Sequence, residues 1–561
     1  MNRRQFLSAA AAAGVHGLRS ATTPRPNILV ILADDLGWSD LGCYGGEIHT
    51  PNLDRLARGG VRFTQFYNAA RCCPSRASIL TGLYPHQAGM GNMTSPKPRT
   101  DFPGYAGVLN DRNVTVAEVL KQAGYSTWMA GKWHLGPPGP VARGFDEFYG
   151  MLHGFDSFWD PAKYTRLPAD RQARAYPPDK FYATEAITDH AVDFLTEARR
   201  LGKPFFLYLA YNAPHFPLHA PKDVIDRYVP VYEKGWDQIR EQRFERMRAM
   251  GLIRRDWKLT PRSVIPPNRF NSQTGWAGKT NPAWDALEPD RRKDLARRMA
   301  IYAAMVEVMD RNIGRVIDDL RTGGQLDNTL VLFFSDNGAC AEWDPYGFDK
   351  SSGPHNHLHR GEELAGMGQP GTYHSYGSGW ANACNTPWRL YKHYNHEGGI
   401  TTPLIAHWPA GIRRRNAIDH QPGHIIDLMP TCVELAGASY PASMPPLEGR
   451  SLVPALAGKP VPREAMYWEH EGNRAIRIGK WKAAAVDPAG RWELYDMEAD
   501  RTEMRDLSAQ HPERLQAMIR QWELWAKRTN VIPWMWKPPY QPSQGVTAPG
   551  RPDPPASPTP R

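Results

Sequence analysis

The sequence predicts an α/β protein: a large, mostly parallel sheet flanked by helices, then a smaller C-terminal antiparallel sheet packed by a helix. Three observations carry this expectation. Largely apolar runs at 27–32, 204–209 and 329–334 each end in polar turn residues, as strands buried on both faces do. Helical patterns alternate with those runs, the arrangement of a parallel sheet covered on both sides. From about residue 447 the pattern changes to short strands separated by turns, then one helix.

The first element is not part of that fold. Asn2-Arg3-Arg4-Gln5-Phe6-Leu7 resembles a twin-arginine export signal. The run from Leu7 to Val15 is Ala-rich and mildly apolar, and falls short of the about 20 apolar residues that span a bilayer. It reads as a signal h-region over residues 1–25, with cleavage expected before Pro26 and no stable membrane anchor. The expected location is therefore outside the bacterial cytoplasm, periplasmic or extracellular, with the twin-arginine machinery as a partner.

Asn27 to Leu32 is the first buried strand, and it leads into Ala33-Asp34-Asp35. A helix is expected over Thr115–Ala123 with Thr115 as its N-cap, and another over Thr184–Arg199. Pro204 to Leu209 is a second strand, followed by Tyr211-Asn212-Ala213-Pro214-His215. The charged, Trp-containing stretch Tyr232–Arg262 reads as an insertion near a substrate cleft. The clearest helix runs from about Asp290 to Leu320, with Ala300, Met305, Val308, Ile313 and Ile317 on its apolar side. Thr329 to Phe334 is a third strand, ending in Ser335-Asp336-Asn337-Gly338. The Gly-, His- and Tyr-rich segment 344–386 reads as a long active-site loop.

The catalytic domain is expected to span 26–446 and a small α+β subdomain 447–536. In the latter, 465–469, 474–477, 480–483 and 492–496 read as strands and 512–528 as a helix. The Pro-rich end, 537–561, reads as disordered.

Of the 561 residues, 41% are hydrophobic and 22% charged, enough for a sizeable core. The formal net charge of +10 favours anionic partners. Nucleic acid is not expected among them, because the chain has no zinc-finger spacing, RNA-recognition signature or dense basic block with interleaved aromatics. Six cysteines, at 43, 72, 73, 340, 384 and 432, are too scattered for a disulfide framework. Those at 43, 340, 384 and 432 read as small core residues or as carrying one disulfide that the sequence does not assign.

Polar residues at the carboxyl ends of parallel strands are where such folds build their sites. Asp34-Asp35 and Asp336-Asn337 lie at two such ends. Each pair alone is more commonly a helix cap or a turn. Together they offer the carboxylate and amide oxygens that a hard divalent cation takes.

The run Cys72-Cys73-Pro74-Ser75-Arg76-Ala77-Ser78-Ile79-Leu80-Thr81-Gly82 resembles the modification signature of the sulfatase family, Cys-x-Pro-Ser-Arg followed by Thr-Gly. Proline falls at +2 and arginine at +4 from Cys72, and neither does from Cys73. The resemblance implies that Cys72 is oxidised to formylglycine by a formylglycine-generating or sulfatase-maturating enzyme. A hydroxyl of the hydrated aldehyde would attack sulfur and expel the alcohol or phenol, leaving a sulfated enzyme. Deprotonating the second hydroxyl would then release sulfate, a step that an ordinary serine could not offer.

Further positions resemble the family one by one. Gly131-Lys132-Trp133-His134-Leu135-Gly136 matches a family motif; Lys132 would bind nucleophile and sulfate oxygen, and His134 would be the base of the second step. His215 matches the histidine that binds sulfate and helps protonate the leaving group. Lys392, five residues before Glu397-Gly398-Gly399, matches the sulfate-binding lysine. Arg76 would stabilise the oxidised, metal-bound Cys72. The implied metal ligands are Asp34, Asp35, Cys72, Asp336 and Asn337, and the implied cation is calcium, with magnesium as an alternative. The cluster of Arg76, Lys132, His134, His215 and Lys392 would aim positive charge at a transferring anion.

The resemblance runs from Pro26 to about Pro533. Gly89-Met90-Gly91-Asn92-Met93 and the stretch from Gly235-Trp236-Asp237 to Gly251-Leu252 look most like bacterial arylsulfatases. The expectation is hydrolysis of sulfate esters, with aryl sulfates or sulfated carbohydrates as substrates. A phosphonate or phosphodiester hydrolase of the same superfamily is the first rival, disfavoured by Asn337 where such enzymes tend to carry histidine. An inactive sulfated-glycan binder is the second, disfavoured by the intact set of site residues. The substrate pocket is expected to be built by loops around 89–110, 153–180, 230–285 and 344–386.

Overall fold

The computed structural model describes residues 25–177 and 179–535. Fourteen strands are present. Ten belong to the large sheet: β1 (Asn27–Ala33), β2 (Val61–Tyr67), β3 (Ser126–Lys132), β4 (Glu147–Met151), β5 (Thr165–Leu167), β6 (Phe205–Ala210), β7 (Thr329–Ser335), β8 (Thr401–His407), β9 (Ala417–Asp419) and β10 (Gly423–His424). Their order is β10-β2-β8-β7-β1-β6-β3-β4-β5, with β9 also on β2. Around the centre, β7, β1, β6, β3 and β4 are parallel, while β8 and β5 join antiparallel. The sheet is thus mixed, with a parallel core.

The apolar runs explain that core. Every residue of β1 is buried. Leu29, Ile31 and Ala33 face the helices Ala183–Leu201 and Pro289–Thr322, whereas Ile28, Val30 and Leu32 face the helices Val116–Gln122 and Leu428–Ala436. A strand sandwiched in this way has no face for polar residues. Burying each such Ile or Leu stabilises the fold by roughly 1.5–3 kcal/mol. The expected cap is present: the Thr115 hydroxyl accepts from Glu118 N–H at 3.1 Å, and the Glu118 carboxylate accepts from Thr115 N–H at 2.5 Å. Such a reciprocal box contributes about 1 kcal/mol.

Four strands form the second, antiparallel sheet: β11 (Met466–His470), β12 (Asn473–Ile478), β13 (Trp481–Ala485) and β14 (Glu493–Asp496). The helix Pro512–Arg528 packs on it through Leu515, Met518, Trp522 and Trp525, and Tyr84 and Ile426 of the larger unit join that cluster. A buried ion cluster locks the two units. Glu397, just before β8, bonds Lys482 at 2.9 Å and Arg501 at 2.6 Å, and all three side chains are excluded from water.

Two expectations change. The stretch 232–262 is largely the helix Gly235–Met250, whose buried Arg243 bonds Asp40 at 2.6 Å and Glu47 at 2.7 Å. Its Trp236 packs on Trp284 and Trp380 instead of facing a cleft. Residues 251–255 and Trp257 line a cavity of about 770 Å³ against the C-terminal unit, which none of the ten expected site residues lines. The six cysteines are all buried and unpaired, so no disulfide links them. No helix of the described residues is long and apolar enough to cross a membrane. The expected signal before Arg25 and the expected tail over 537–561 lie outside the described residues.

Candidate active site

Parallel pairing brings distant residues together. Ala33 of β1 is in register with Ser335 of β7, and Asp336 N–H donates to Ala33 C=O at 3.1 Å. Asp34-Asp35 and Asp336-Asn337 therefore emerge side by side at one sheet edge. Lys132 ends β3 on the far side of β6, and His215 follows β6. Gly131 makes this approach possible: it has φ +115°, and a Cβ there would lie 1.8 Å from the Ala210 carbonyl of β6. Cys72 opens the buried helix Cys72–Thr81, where the helix dipole favours negative charge.

The contacts interlock. Arg76 donates to Asp336 Oδ2 through Nε at 3.0 Å and a terminal nitrogen at 2.9 Å, and to the Lys132 carbonyl at 2.7 Å. Lys132 Nζ donates to Asp34 Oδ2 at 2.5 Å. Lys392 Nζ reaches both Asp35 oxygens, at 2.8 and 2.9 Å, and lies 3.4 Å from His215 Nε2. Asn337 donates to Asp35 Oδ1 at 2.6 Å. Donor atoms of Cys72, Cys73 and His134 lie within 4.8 Å of one another. The structure thus gathers all ten expected residues at the carboxyl ends of β1, β3, β6 and β7.

Asp35 and His134 hold left-handed backbone, with φ of 68° and 53°. Strain of this kind, of order 1–3 kcal/mol per residue, persists where surrounding structure over-determines it, commonly at functional sites.

The electrostatics single out Asp34, whose burial outweighs the cations beside it. Burial and then the nearby Asp336 push Asp34 up to about 7, despite Lys132 and Arg76. Burial would raise Asp35 as well, but Lys392 and His215 hold it at about 2. Burial drives both His134 and His215 down to about 4. The adjacent thiols move in opposite directions. The neighbouring Cys73 thiol, aided by Lys132 and His134, holds Cys72 well below the usual thiol range, whereas burial pushes Cys73 well above it.

Asp34 Oδ1 and Asn337 Oδ1 are buried without any hydrogen-bond donor. Buried polar oxygens are rarely left so. Donor atoms of Asp34, Asp35 and His215 lie within 4.8 Å of one another. Hard oxygens with open lone pairs, among three buried carboxylates, fit a divalent cation taken through carboxylate and amide ligands.

Other residues of the site carried no sequence signal. Arg71 bonds Glu342 at 2.9 Å, and Glu342 lies 4.0 Å from Lys392, so an ion pair borders the lysine. Ile265, Pro266, Asn268 and Asn271 line a small recess with Lys392 and Trp343, so part of the 230–285 loop does reach the site. Gly154 abuts the His134 ring, and Phe155 stacks on His215 at 5.9 Å. The expected pocket loops 230–285 and 153–180 pointed toward Ile265 to Asn271 and toward Gly154 and Phe155, and nothing pointed toward Arg71 or Glu342.

Comparison with known proteins places the chain in a family. The sulfatase family model matches residues 26–438, and a model described as N-sulphoglucosamine sulphohydrolase, C-terminal, matches residues 387–528. The chain is similar to an uncharacterized sulfatase of Schizosaccharomyces pombe, 37% identical over 92% of this chain and 96% of that protein. It is similar to an arylsulfatase of Klebsiella aerogenes, 36% identical over 78% of this chain and 92% of the relative. Among solved structures it resembles Ps i-CgsB in complex with k-i-k-neocarrahexaose, with TM-score 0.62, 26% identity and coverage of 91% of this chain and 94% of that one.

Proposed function

The chain belongs to the sulfatase family and is a sulfuric ester hydrolase; we propose that it is of the arylsulfatase type and works through an oxidised Cys72. The observation that carries the reading is the placing of Cys72 at a helix N-terminus, within 4.8 Å of a His134 nitrogen, beside the carboxylates at the ends of β1 and β7.

The roles follow from charge. Asp34, Asp35 and Asp336 are three carboxylates, and Arg76, Lys132 and Lys392 are three fixed cations among them. This set is neutral by itself. Asp34, Asp35, Asp336 and Asn337, with the oxidised Cys72, would hold a divalent cation, calcium by the all-oxygen donor set. The bound cation supplies positive charge that favours ionised oxygen at residue 72 and turns the neutral set into one that attracts sulfate. The hydrated aldehyde of an oxidised Cys72 supplies the nucleophilic hydroxyl.

Lys132 and Lys392 orient the sulfate oxygens while remaining tethered to Asp34 and Asp35. His215 donates from Nδ1 to the Phe216 carbonyl at 2.6 Å, which fixes its tautomer and turns Nε2 toward Lys392. The His215–Lys392 pair thereby holds a proton beside the leaving oxygen. Burial keeps His134 neutral, as a base must be, and its Nδ1 has no protein partner. Arg76, clamped on Asp336, fixes that carboxylate under the site.

The substrate is a sulfate ester of a phenol or a carbohydrate. The Klebsiella relative named arylsulfatase supports the former, and the solved relative with a bound neocarrahexaose keeps the latter in view. Maturation by a formylglycine-generating enzyme and export through Arg3-Arg4 to the periplasm or medium complete the reading. The test is sulfate release from an aryl sulfate by protein co-produced with a maturation enzyme, alongside the mass of the Cys72 peptide. An active protein whose Cys72 keeps an unmodified thiol sinks the reading.

A further inference from the structure

Among the described residues, seven large hydrophobic side chains are exposed, and two of them, Leu152 and Phe155, fall within four residues of one another at the site. Phe155 is 44% exposed and Leu152 39%. Phe155 is the one aromatic among those seven described residues, so this placement calls for a reason.

The segment is held against both candidate catalytic histidines. His134 N–H donates to the Leu152 carbonyl at 3.2 Å, and Trp133 N–H to the Met151 carbonyl at 2.9 Å. A Cβ on Gly154 would meet the His134 ring at 2.7 Å, so only glycine lets the backbone lie on that ring. One residue on, the Phe155 ring lies parallel to His215, with 5.9 Å between centroids and 13° between planes. Phe216 packs against Phe155 at 5.1 Å, and Tyr373 closes the edge at 6.5 Å. Lys392 Nζ sits 5.9 Å from the Phe216 ring, so the aromatic wall begins where the sulfate-binding charges end.

Resting on the sulfatase reading above, we infer that Leu152, Phe155 and Tyr373 form the leaving-group subsite, and that it takes a planar aromatic group. Sulfate binds to the charged floor, so the group esterified to it points out past His215. The surface it meets there is a ring face and an aliphatic edge, and the neighbouring His153 and Asp156 are paired with each other at 3.0 Å. Stacked aromatic pairs gain free energy beyond the area they bury, and apolar surface discriminates weakly between apolar groups but poorly rewards hydroxyls. Gly154 serves as a positioning residue, since it sets the height of the wall over His134.

The test uses the mature holoenzyme with para-nitrophenyl sulfate as substrate and inorganic sulfate as competitive inhibitor. Inorganic sulfate touches only the charged floor and has no leaving group. Phe155→Ala is expected to raise KM for the aryl ester by roughly threefold to tenfold, with the inhibition constant of sulfate unchanged and Phe155→Tyr near wild type. An unchanged KM in Phe155→Ala overturns the inference, and so does an equal rise in the sulfate constant, which would mean that the floor had shifted. Wild-type enzyme that hydrolyses a sulfated monosaccharide but no aryl sulfate also overturns it while leaving the sulfatase reading intact. Failure to hydrolyse any sulfate ester, with Cys72 oxidised and calcium present, is instead the failure of that reading.

Discussion

Lys132 Nζ lies 2.5 Å from Asp34 Oδ2, and neither side chain is exposed to water. The pair joins β3 to β1 across β6, so it is a structural tie as well as part of the proposed anion site. Its removal leaves Asp34 buried beside Asp336 with too little positive charge.

Lys132→Ala is accordingly expected to abolish turnover and to cost roughly 3–5 kcal/mol of stability, the usual penalty for breaking a buried pair from one side. Thermal melts and sulfate release check the two effects separately. Wild-type stability in the variant would mean that Asp34 simply takes up a proton.

The adjacent cysteines should differ sharply. Cys72→Ala removes the nucleophile and should eliminate turnover. Cys73→Ala removes a thiol that packs 3.9 Å from the Met93 sulfur, and should keep activity while losing about 1 kcal/mol of stability. Equal activity losses in matched, fully matured samples would contradict the assignment of Cys72.

Calcium removal should destabilise the protein as well as silence it. A ligand at a hundredfold excess over its dissociation constant adds about 2.7 kcal/mol to the folded state. Chelation should lower the melting temperature of wild type and leave Asn337→Ala less affected, because that variant lacks one of the open oxygens. A melting temperature indifferent to chelator and calcium would rule out an oxygen-bound cation in this cage.

Acid should weaken the joint between the two units. Burial pushes Glu397 up, but Lys482, Arg501 and Arg477 outweigh it and hold it at about 2, against 4.5 for an ordinary glutamate. Because the folded value is depressed, the stabilisation is complete above about pH 4.5 and is lost as pH falls toward about 2. Its full size is about 3 kcal/mol at 1.36 kcal/mol per pH unit. Unfolding curves across this range should show the loss in wild type, and Glu397→Gln should flatten it.

Turnover of an aryl sulfate should exceed that of the matching aryl phosphonate ester. Asn337 provides a neutral amide oxygen where a histidine would offer nitrogen to a softer metal. Faster phosphonate turnover would reassign the enzyme to the phosphonate branch of the superfamily.

Much of this protein was legible before any coordinates. The runs at 27–32, 204–209 and 329–334 read as buried strands because they are largely apolar and end in polar turn residues, and β1, β6 and β7 are buried throughout. The offsets of Pro74 and Arg76 identified Cys72, and Thr115 marked a helix start. Patterns of this kind are local, so the chain displays them without being folded. The stretch 232–262 misled because its charges looked solvated. Arg243 is instead buried against Asp40 and Glu47, partners about 200 residues away that no window of sequence connects.

By itself the sequence determined the fold class, and it pointed to a candidate nucleophile and to the kinds of residue that would handle an anion. Only the tertiary structure decided how those residues share their work: that Lys392 spans Asp35 and His215, that Arg76 serves Asp336, that Asp34 Oδ1 and Asn337 Oδ1 stay open, and that Phe155 walls His215. The reason is physical. Residue identity and local spacing set what a side chain can donate, accept or bury. Which partner it meets depends on strand register and loop closure over hundreds of residues, and those come from packing of the whole chain.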